Sequence, residues 1–125
     1  MWDGFDHRKF PRINLRCEIT ISSKLAPKPI LTETENVGSG GVCVIQVNNL
    51  ERFSRCKIKL DIDENQEPIE CEGKVCWIIP QKTKASSKGI NYDTGIEFIL
   101  IKAKDQKRLN DFLKTTISKG FHEIC

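Results

Sequence analysis

The stretch RINLRCEITIS, residues 12–22, alternates apolar and polar side chains from end to end. Its apolar members share one face of an extended chain: Ile13, Leu15, Cys17, Ile19 and Ile21. A period of two, with β-branched residues on one side, predicts a strand that buries that side and exposes the other. The folded part of the chain therefore begins with a half-buried strand.

The same period recurs in later segments that turn-forming residues separate. They are ILTETENV, VCVIQV, KIKLDID, IECEGKVCWIIP and INYDTGIEFILI, the last being one strand or a hairpin pair around DTG. Uninterrupted alternation places Trp77 and Ile79 on the inward face of their segment, and Phe98 inward in the last one. About six short antiparallel strands are predicted.

Only the end of the chain changes period. Apolar and small residues recur there at helical spacing: Leu109, Phe112, Leu113, Thr116 and Ile117. Asp105 is the predicted N-cap and Gly120 the predicted stop, because these residue types favour helix ends. The sequence therefore predicts an amphipathic helix over about 105–119.

Together these elements predict a mainly all-β fold, a six-stranded antiparallel β-barrel with a C-terminal α-helix covering its open end. No repeat or linker divides the chain, so we expect one domain over residues 1–125. Its parts are an N-terminal arm at 1–12, a barrel at about 12–101, and the helix.

Composition narrows the class of protein. Hydrophobic residues make up 38% and charged residues 30%, and 20 basic against 17 acidic residues leave a net charge of +3. These values are ordinary for a globular domain and too mild to indicate a polyanionic partner. No apolar run approaches the roughly 18 residues of a membrane span, and the first residues lack the pattern of a secretory signal. A cytoplasmic protein without membrane insertion is the expectation.

The cysteines do not form a metal-binding or disulfide pattern. They are Cys17, Cys43, Cys56, Cys71, Cys76 and Cys125. No C-x-x-C pair occurs, and an odd separation puts Cys71 and Cys76 on opposite faces of one predicted strand. Free, partly buried thiols are predicted, with no metal site and no cofactor.

Neither catalysis nor binding to a nucleic acid polymer is favoured by the sequence. His7 and His122 lie in no context that pairs a base with a nucleophile, so no catalytic residue is predicted. Barrels that bind single strands line a basic groove with aromatic residues, whereas here only Phe5 and Phe10 accompany the basic arm. An enzyme and a nucleic-acid-binding protein are both set aside.

Three motifs carry a family resemblance. Arg8-Lys9-Phe10-Pro11-Arg12 is R-x-x-x-R directly before the first strand, and NVGSGG, residues 36–41, follows [D/N]-x-S-x-x-G with one departure. GIEF, residues 95–98, precedes the helix. In this order and at these separations the motifs resemble the PilZ domain, a bacterial sensor of cyclic di-GMP.

The resemblance implies a receptor that binds cyclic di-GMP and passes a conformational change to a partner protein. The implied ligand-binding residues are Arg8, Arg12, Asn36, Gly38, Ser39 and Gly41, with further contacts from His7, Lys9 and Gly40. Downstream partners in the family include flagellar, polysaccharide-synthesis and pilus machinery, among which this sequence does not select. A degenerate domain that has lost its ligand and acts as a protein-interaction module is the alternative.

The chemistry of these residues suits such a ligand. Arginine presents a planar charged fork that pairs with phosphate oxygens, grips guanine O6 and N7, and stacks on a base. The Asn36 carbonyl can accept from guanine N–H donors, and glycines let a base or phosphate approach the backbone. Gly38 stands where the family usually has serine, and loss of one hydroxyl contact would weaken binding by about 0.5–1.5 kcal/mol.

Overall fold

The computed structural model describes residues 12–81, 90–118 and 123–124. Their elements are β1 (Arg12–Ile13), β2 (Glu18–Ser22), β3 (Ile30–Gly38), β4 (Gly41–Gln46), β5 (Arg55–Asp61), β6 (Ile69–Gln81), β7 (Asn91–Leu100), α1 (Ala103–Ser118) and β8 (Glu123–Ile124). The segment INYDTGIEFILI thus forms one strand, β7, and no hairpin.

Six of these strands close into an antiparallel barrel. Their order is β2-β5-β6-β7-β4-β3, and pairing of β2 with β3 completes the ring. The short strands β1 and β8 continue the sheet beyond the far end of β3, where β1 pairs with Val37 and Gly38. The predicted fold, a six-stranded antiparallel barrel with a C-terminal helix, is confirmed.

The stretch 12–22 is divided between two strands, which corrects the prediction of a single one. Thr34 of β3, fully buried, bridges the interruption with its hydroxyl. That oxygen accepts from the Cys17 N–H at 2.8 Å and donates to the Leu15 carbonyl at 2.7 Å. These bonds satisfy backbone groups that leave the ladder, so the chain bends without losing its inward alternation.

The barrel interior is filled by aliphatic side chains from every long strand. The fully buried ones include Ile13, Ile19, Ile21, Leu50, Ile58, Leu60, Ile69 and Ile96. Helix α1 adds Leu109 and Leu113 to this core. A single apolar interior of this kind is what the period-two pattern predicted.

The helix begins at Ala103, two residues before the predicted cap. The Lys102 carbonyl accepts from the N–H groups of Asp105 and Gln106 at 3.0 and 2.9 Å, which marks Lys102 as the residue before the first turn. Asp105 lies inside that turn, where its carboxylate accepts from Arg108 at 3.3 Å. The predicted stop at Gly120 lies outside the described residues.

Strand β6 contains a bulge that corrects the predicted orientation of Trp77 and Ile79. Val75 pairs with Ile96 and Trp77 with Gly95, so Cys76 is the extra residue. Beyond it the alternation reverses: Ile78 packs against the core and Ile79 is 52% exposed. An extra residue shifts every later side chain to the other face, so Trp77 faces outward.

The cysteines of the described segments carry no disulfide. Burial raises the pKa of Cys17 and Cys56 to about 11 and that of Cys71 to about 12. Within these segments no three cysteine, histidine or carboxylate side chains gather in a metal-binding arrangement. No described helix has the length and apolar character needed to cross a bilayer.

Candidate ligand-binding site

The glycine motif forms the corner between β3 and β4. Asn36 and Gly38 lie at the end of β3, Ser39 and Gly40 make the turn, and Gly41 begins β4. Backbone pairing sets Arg12 of β1 directly opposite Gly38. The last residue of R-x-x-x-R therefore lies beside the glycine corner.

The remaining predicted residues of that segment are His7, Arg8 and Lys9, which lie outside the described residues. For Arg12 the structure describes the backbone alone. The two motifs are therefore brought together through the β1–β3 pairing, and the positions of the arginine side chains stay a prediction.

Register across the barrel places further residues on the same outer surface as the corner. Gly41 pairs with Gly38 on one side and with Glu97 of β7 on the other. Two residues further along each strand, a second row of paired residues lies on the same surface. In order across the sheet these are Asn36, Cys43, Gly95 and Trp77. We call this surface, with Gly38 and Gly41, the glycine trough.

The floor of the glycine trough is backbone at Gly38 and Gly41. A Cβ on Gly41 would collide with the main-chain oxygen of Ile96, and it would lie 3.2 Å from the Cα of Glu97. Strands β4 and β7 therefore approach each other more closely than a side chain would permit. Gly41 is therefore needed for this packing whether or not a ligand binds.

Trp77 forms the far wall of the trough. A Cβ on Gly95 would collide with the indole ring, so the half-buried ring lies directly across the Gly95 backbone. A flat ring beside a floor without side chains gives the trough an aromatic border, of the kind on which bases stack.

The turn of the corner is held from behind by β7 and α1. The Gly40 carbonyl accepts from the Phe98 N–H at 2.9 Å, and the Ser39 carbonyl accepts from the Gln106 amide at 3.0 Å. Ser39 is only 8% exposed, and its hydroxyl has no hydrogen-bond partner among the described residues. A contact between this hydroxyl and a ligand in the trough would require the turn to move.

Carboxylates border the trough at the end where Asp93 precedes Gly95 on β7. Asp93 of β7 lies two residues before Gly95 and accepts from the Gln81 amide at 3.4 Å. Burial, and then the charge of nearby Glu35, raise the pKa of Asp93. This border therefore carries two neighbouring carboxylates, Asp93 and Glu35, and disfavours an anionic group there.

Cys43, Gly95 and Trp77 are the trough residues that the motifs did not assign to the site, and Glu97 borders them opposite Gly41. Gly95 and Glu97 lie in GIEF, which the sequence offered as a strand. Trp77 was assigned to the core because continued alternation requires it. A bulge depends on the partner strand, so no pattern within IECEGKVCWIIP alone predicts that the ring faces outward.

A family model described as the PilZ domain matches residues 6–115. The match covers most of the chain, and the protein therefore belongs to the PilZ family. A comparison with curated proteins finds no match.

Solved structures share the fold. The Bacillus subtilis inhibitor of motility, MotI/DgrA, superposes with a TM-score of 0.71 at 19% identity over 90% of this chain and 53% of its own. The PilZ domain with c-di-GMP of YcgR from Escherichia coli gives 0.66 at 11% identity, over 90% of this chain and 95% of that one. The MrkH–c-di-GMP complex of K. pneumonia gives 0.69 at 16% identity, over 90% and 53%. The chain thus spans about half the length of MotI and MrkH.

Proposed function

We propose that this PilZ domain is a receptor for cyclic di-GMP, which it binds in the glycine trough with Arg8 and Arg12 closing over the ligand. The observation that carries the proposal is the backbone pairing of Arg12 with Gly38. It supports the proposal because it joins the last residue of the arginine motif to the glycine trough. PilZ neighbours whose names state c-di-GMP, YcgR and MrkH, add support.

Each residue has a proposed role that follows from its chemistry. Arg8 and Arg12 pair with the phosphates and guanine edges, and His7 and Lys9 make further contacts from the same segment. Asn36 accepts from guanine N–H donors at the lip of the trough. Gly38, Gly40 and Gly41 admit the ligand to the backbone, and Trp77 borders one base.

The signal would pass from the corner to a partner protein. The turn is bonded to β7 through Phe98 and to α1 through Gln106, so a ligand that shifts the corner would also shift β7 and α1. We propose a cytoplasmic effector, not an enzyme, whose partner belongs to motility, polysaccharide or pilus machinery. No cofactor and no nucleic acid polymer are part of the proposal.

Titration calorimetry with cyclic di-GMP tests the ligand. Arg8→Ala and Arg12→Ala should each weaken binding by about tenfold or more, because a hydrogen bond to a charged group contributes roughly 1.5–3 kcal/mol. Arg16→Ala is the matched control, since Arg16 is an exposed arginine outside the motif that lies 3.9 Å from Glu33. Equal weakening by all three variants would mean that general charge, and not this motif, attracts the nucleotide.

The second candidate is an interaction module without ligand. Gly38 favours it, because the hydroxyl usual at this position in the family is absent and Ser39 is buried behind the corner. Heats indistinguishable from dilution at high protein concentration would support it. Saturable binding that Arg12→Ala weakens would exclude it.

A further inference from the structure

A second outward-facing cluster lies on the other side of β6 from the trough. The turn before β5 presents Phe53, which is 59% exposed, with the Arg52 guanidinium carbon 4.6 Å and the Lys74 ammonium nitrogen 5.5 Å from the centre of its ring. We call these three residues the aromatic–cation patch. Lys74 lies two strands from Gly41 across β7, roughly 10 Å, so the patch adjoins the trough but shares none of its residues.

The backbone at Phe53 is held in an unfavourable conformation. Its φ of 70° lies in the left-handed region, which favours glycine and disfavours aromatic residues. Hydrogen bonds to β6 hold it there: the Phe53 N–H donates to the Val75 carbonyl at 2.6 Å, and the Val75 N–H donates to Ser54 at 2.9 Å. A large apolar ring is thus kept in solvent at a position where glycine would fit better, a combination that points to a function for the ring.

Arg52 is positioned as an anion receptor. Its Nε donates to the Cys76 carbonyl at the bulge of β6 at 2.9 Å, and its planar group rests on the Phe53 ring. Within the described part of the chain, no carboxylate lies within 4.0 Å of Arg52 or Lys74. A guanidinium fixed through Nε keeps its two terminal nitrogens available for bidentate pairing with a carboxylate.

A groove of about 650 Å³ continues from the same turn. Leu25, 44% exposed, lines one side of it, and Lys24, Arg55 and Lys57 contribute basic side chains. Patch and groove together carry five basic and two acidic side chains, the acids being Glu51 and Glu72. Arg55 forms an ion pair with Glu72 at 3.1 Å, so the combined surface has exposed apolar side chains at Phe53 and Leu25 and a net positive charge rather than an unbroken positive surface.

We propose that the patch and groove dock an acidic segment of a partner protein, with one carboxylate in the Arg52 fork and an apolar side chain between Phe53 and Leu25. Charge complementarity selects the partner. Carboxylates at Glu51 and Glu72 interrupt the positive surface, which disfavours a phosphate backbone with its closely spaced charges and favours the isolated carboxylates of a peptide. The docking surface is independent of the trough and does not require that cyclic di-GMP bind.

Fluorescence anisotropy with three labelled probes tests the docking. The probes are a short peptide of Asp and Glu interleaved with Leu and Phe, the same peptide with Asn and Gln in place of the acids, and a single-stranded oligothymidylate of matched length. The acidic peptide should bind in preference to the other two. Arg52→Gln and Phe53→Gly should each weaken it about tenfold or more, the loss expected for a charge-assisted contact.

Two controls match the variants. Lys104→Gln removes an exposed cation from α1, and Leu31→Ala removes an apolar side chain that is 80% exposed on β3; both should leave peptide binding unchanged. Thermal unfolding should show Phe53→Gly to be at least as stable as the parent, because its φ suits glycine. Loss of binding without loss of stability is the result that supports the proposal.

The proposal would be overturned by no binding of the acidic peptide, by equal binding of the neutral peptide, or by binding that Arg52→Gln and Phe53→Gly leave intact. Oligothymidylate binding that depends on the same residues would overturn it in favour of a nucleic acid. Calorimetry of Phe53→Gly with cyclic di-GMP distinguishes failure of the docking proposal from failure of the proposed receptor function. Because the trough does not include Phe53, this variant should bind cyclic di-GMP as the parent protein does.

Discussion

The glycine trough and the aromatic–cation patch lie on the same barrel and make surfaces in opposite ways. In the trough, side chains are absent at Gly38 and Gly41, and the backbone itself is the floor. In the patch, Phe53 is displayed at a backbone angle that favours glycine. A barrel can thus form one surface from backbone that lacks side chains and another from a side chain that projects into solvent.

The two regions also differ in how they are held. Hydrogen bonds from Phe98 and Gln106 reach the trough's turn at its carbonyls, behind the surface. In the patch, Arg52 is itself bonded to the Cys76 carbonyl, so the holding group is also an exposed one. Substitutions in the trough should therefore affect the fold first, and substitutions in the patch should affect recognition first.

The largest effect is expected at Gly41. Gly41→Ala should lower the free energy of unfolding by about 1–3 kcal/mol, because the new Cβ meets the backbone of β7, which has no flexible atoms to give way. Chemical denaturation measures this. Gly40→Ala is the matched control, since a Cβ there meets nothing within 4 Å. If both variants are equally stable, the close approach of β4 to β7 does not depend on glycine.

At Phe53, as at Gly41, glycine should give a higher free energy of unfolding than alanine, here because of the backbone angle and not because of a steric collision. Phe53→Gly should be more stable than Phe53→Ala by about 1–2 kcal/mol, because alanine keeps the left-handed strain that glycine relieves. Comparing these two variants removes the contribution of the ring, which both lack. Equal denaturation midpoints would show that the backbone at Phe53 carries no strain, and the contrast between trough and patch would lose its energetic basis.

The barrel fold was predictable from the sequence, whereas two features of these surfaces were not. Alternation predicted the barrel, because that signal is local, whereas the common site of the arm, Asn36 and Gly41 that motif order predicts stays a prediction. The outward turn of Trp77 and the left-handed Phe53 were not predicted. Each depends on β6, the first on its pairing with β7 and the second on hydrogen bonds to Val75, so neither is written in its own segment.

A side chain can be added to the trough at Gly38. Gly38→Ser should tighten cyclic di-GMP binding about two- to tenfold, since one recovered hydroxyl contact contributes roughly 0.5–1.5 kcal/mol. Titration calorimetry on Gly38→Ser and on the parent protein measures the change. Unchanged or weaker binding would mean that the ligand, if it binds, does not approach the end of β3 as proposed.

The smallest effect belongs to Ser39, one residue away. Ser39→Ala should leave cyclic di-GMP affinity unchanged and raise stability by up to about 1 kcal/mol, because the buried hydroxyl has no hydrogen-bond partner among the described residues. Gln106→Ala, by contrast, removes the amide that donates to the Ser39 carbonyl and should lower stability by roughly 0.5–1.5 kcal/mol. Denaturation and calorimetry on the same samples separate the two quantities. If Ser39→Ala instead lowers the affinity for cyclic di-GMP while Gly38→Ser has no effect, the turn opens on binding and Ser39 supplies the hydroxyl that position 38 lacks.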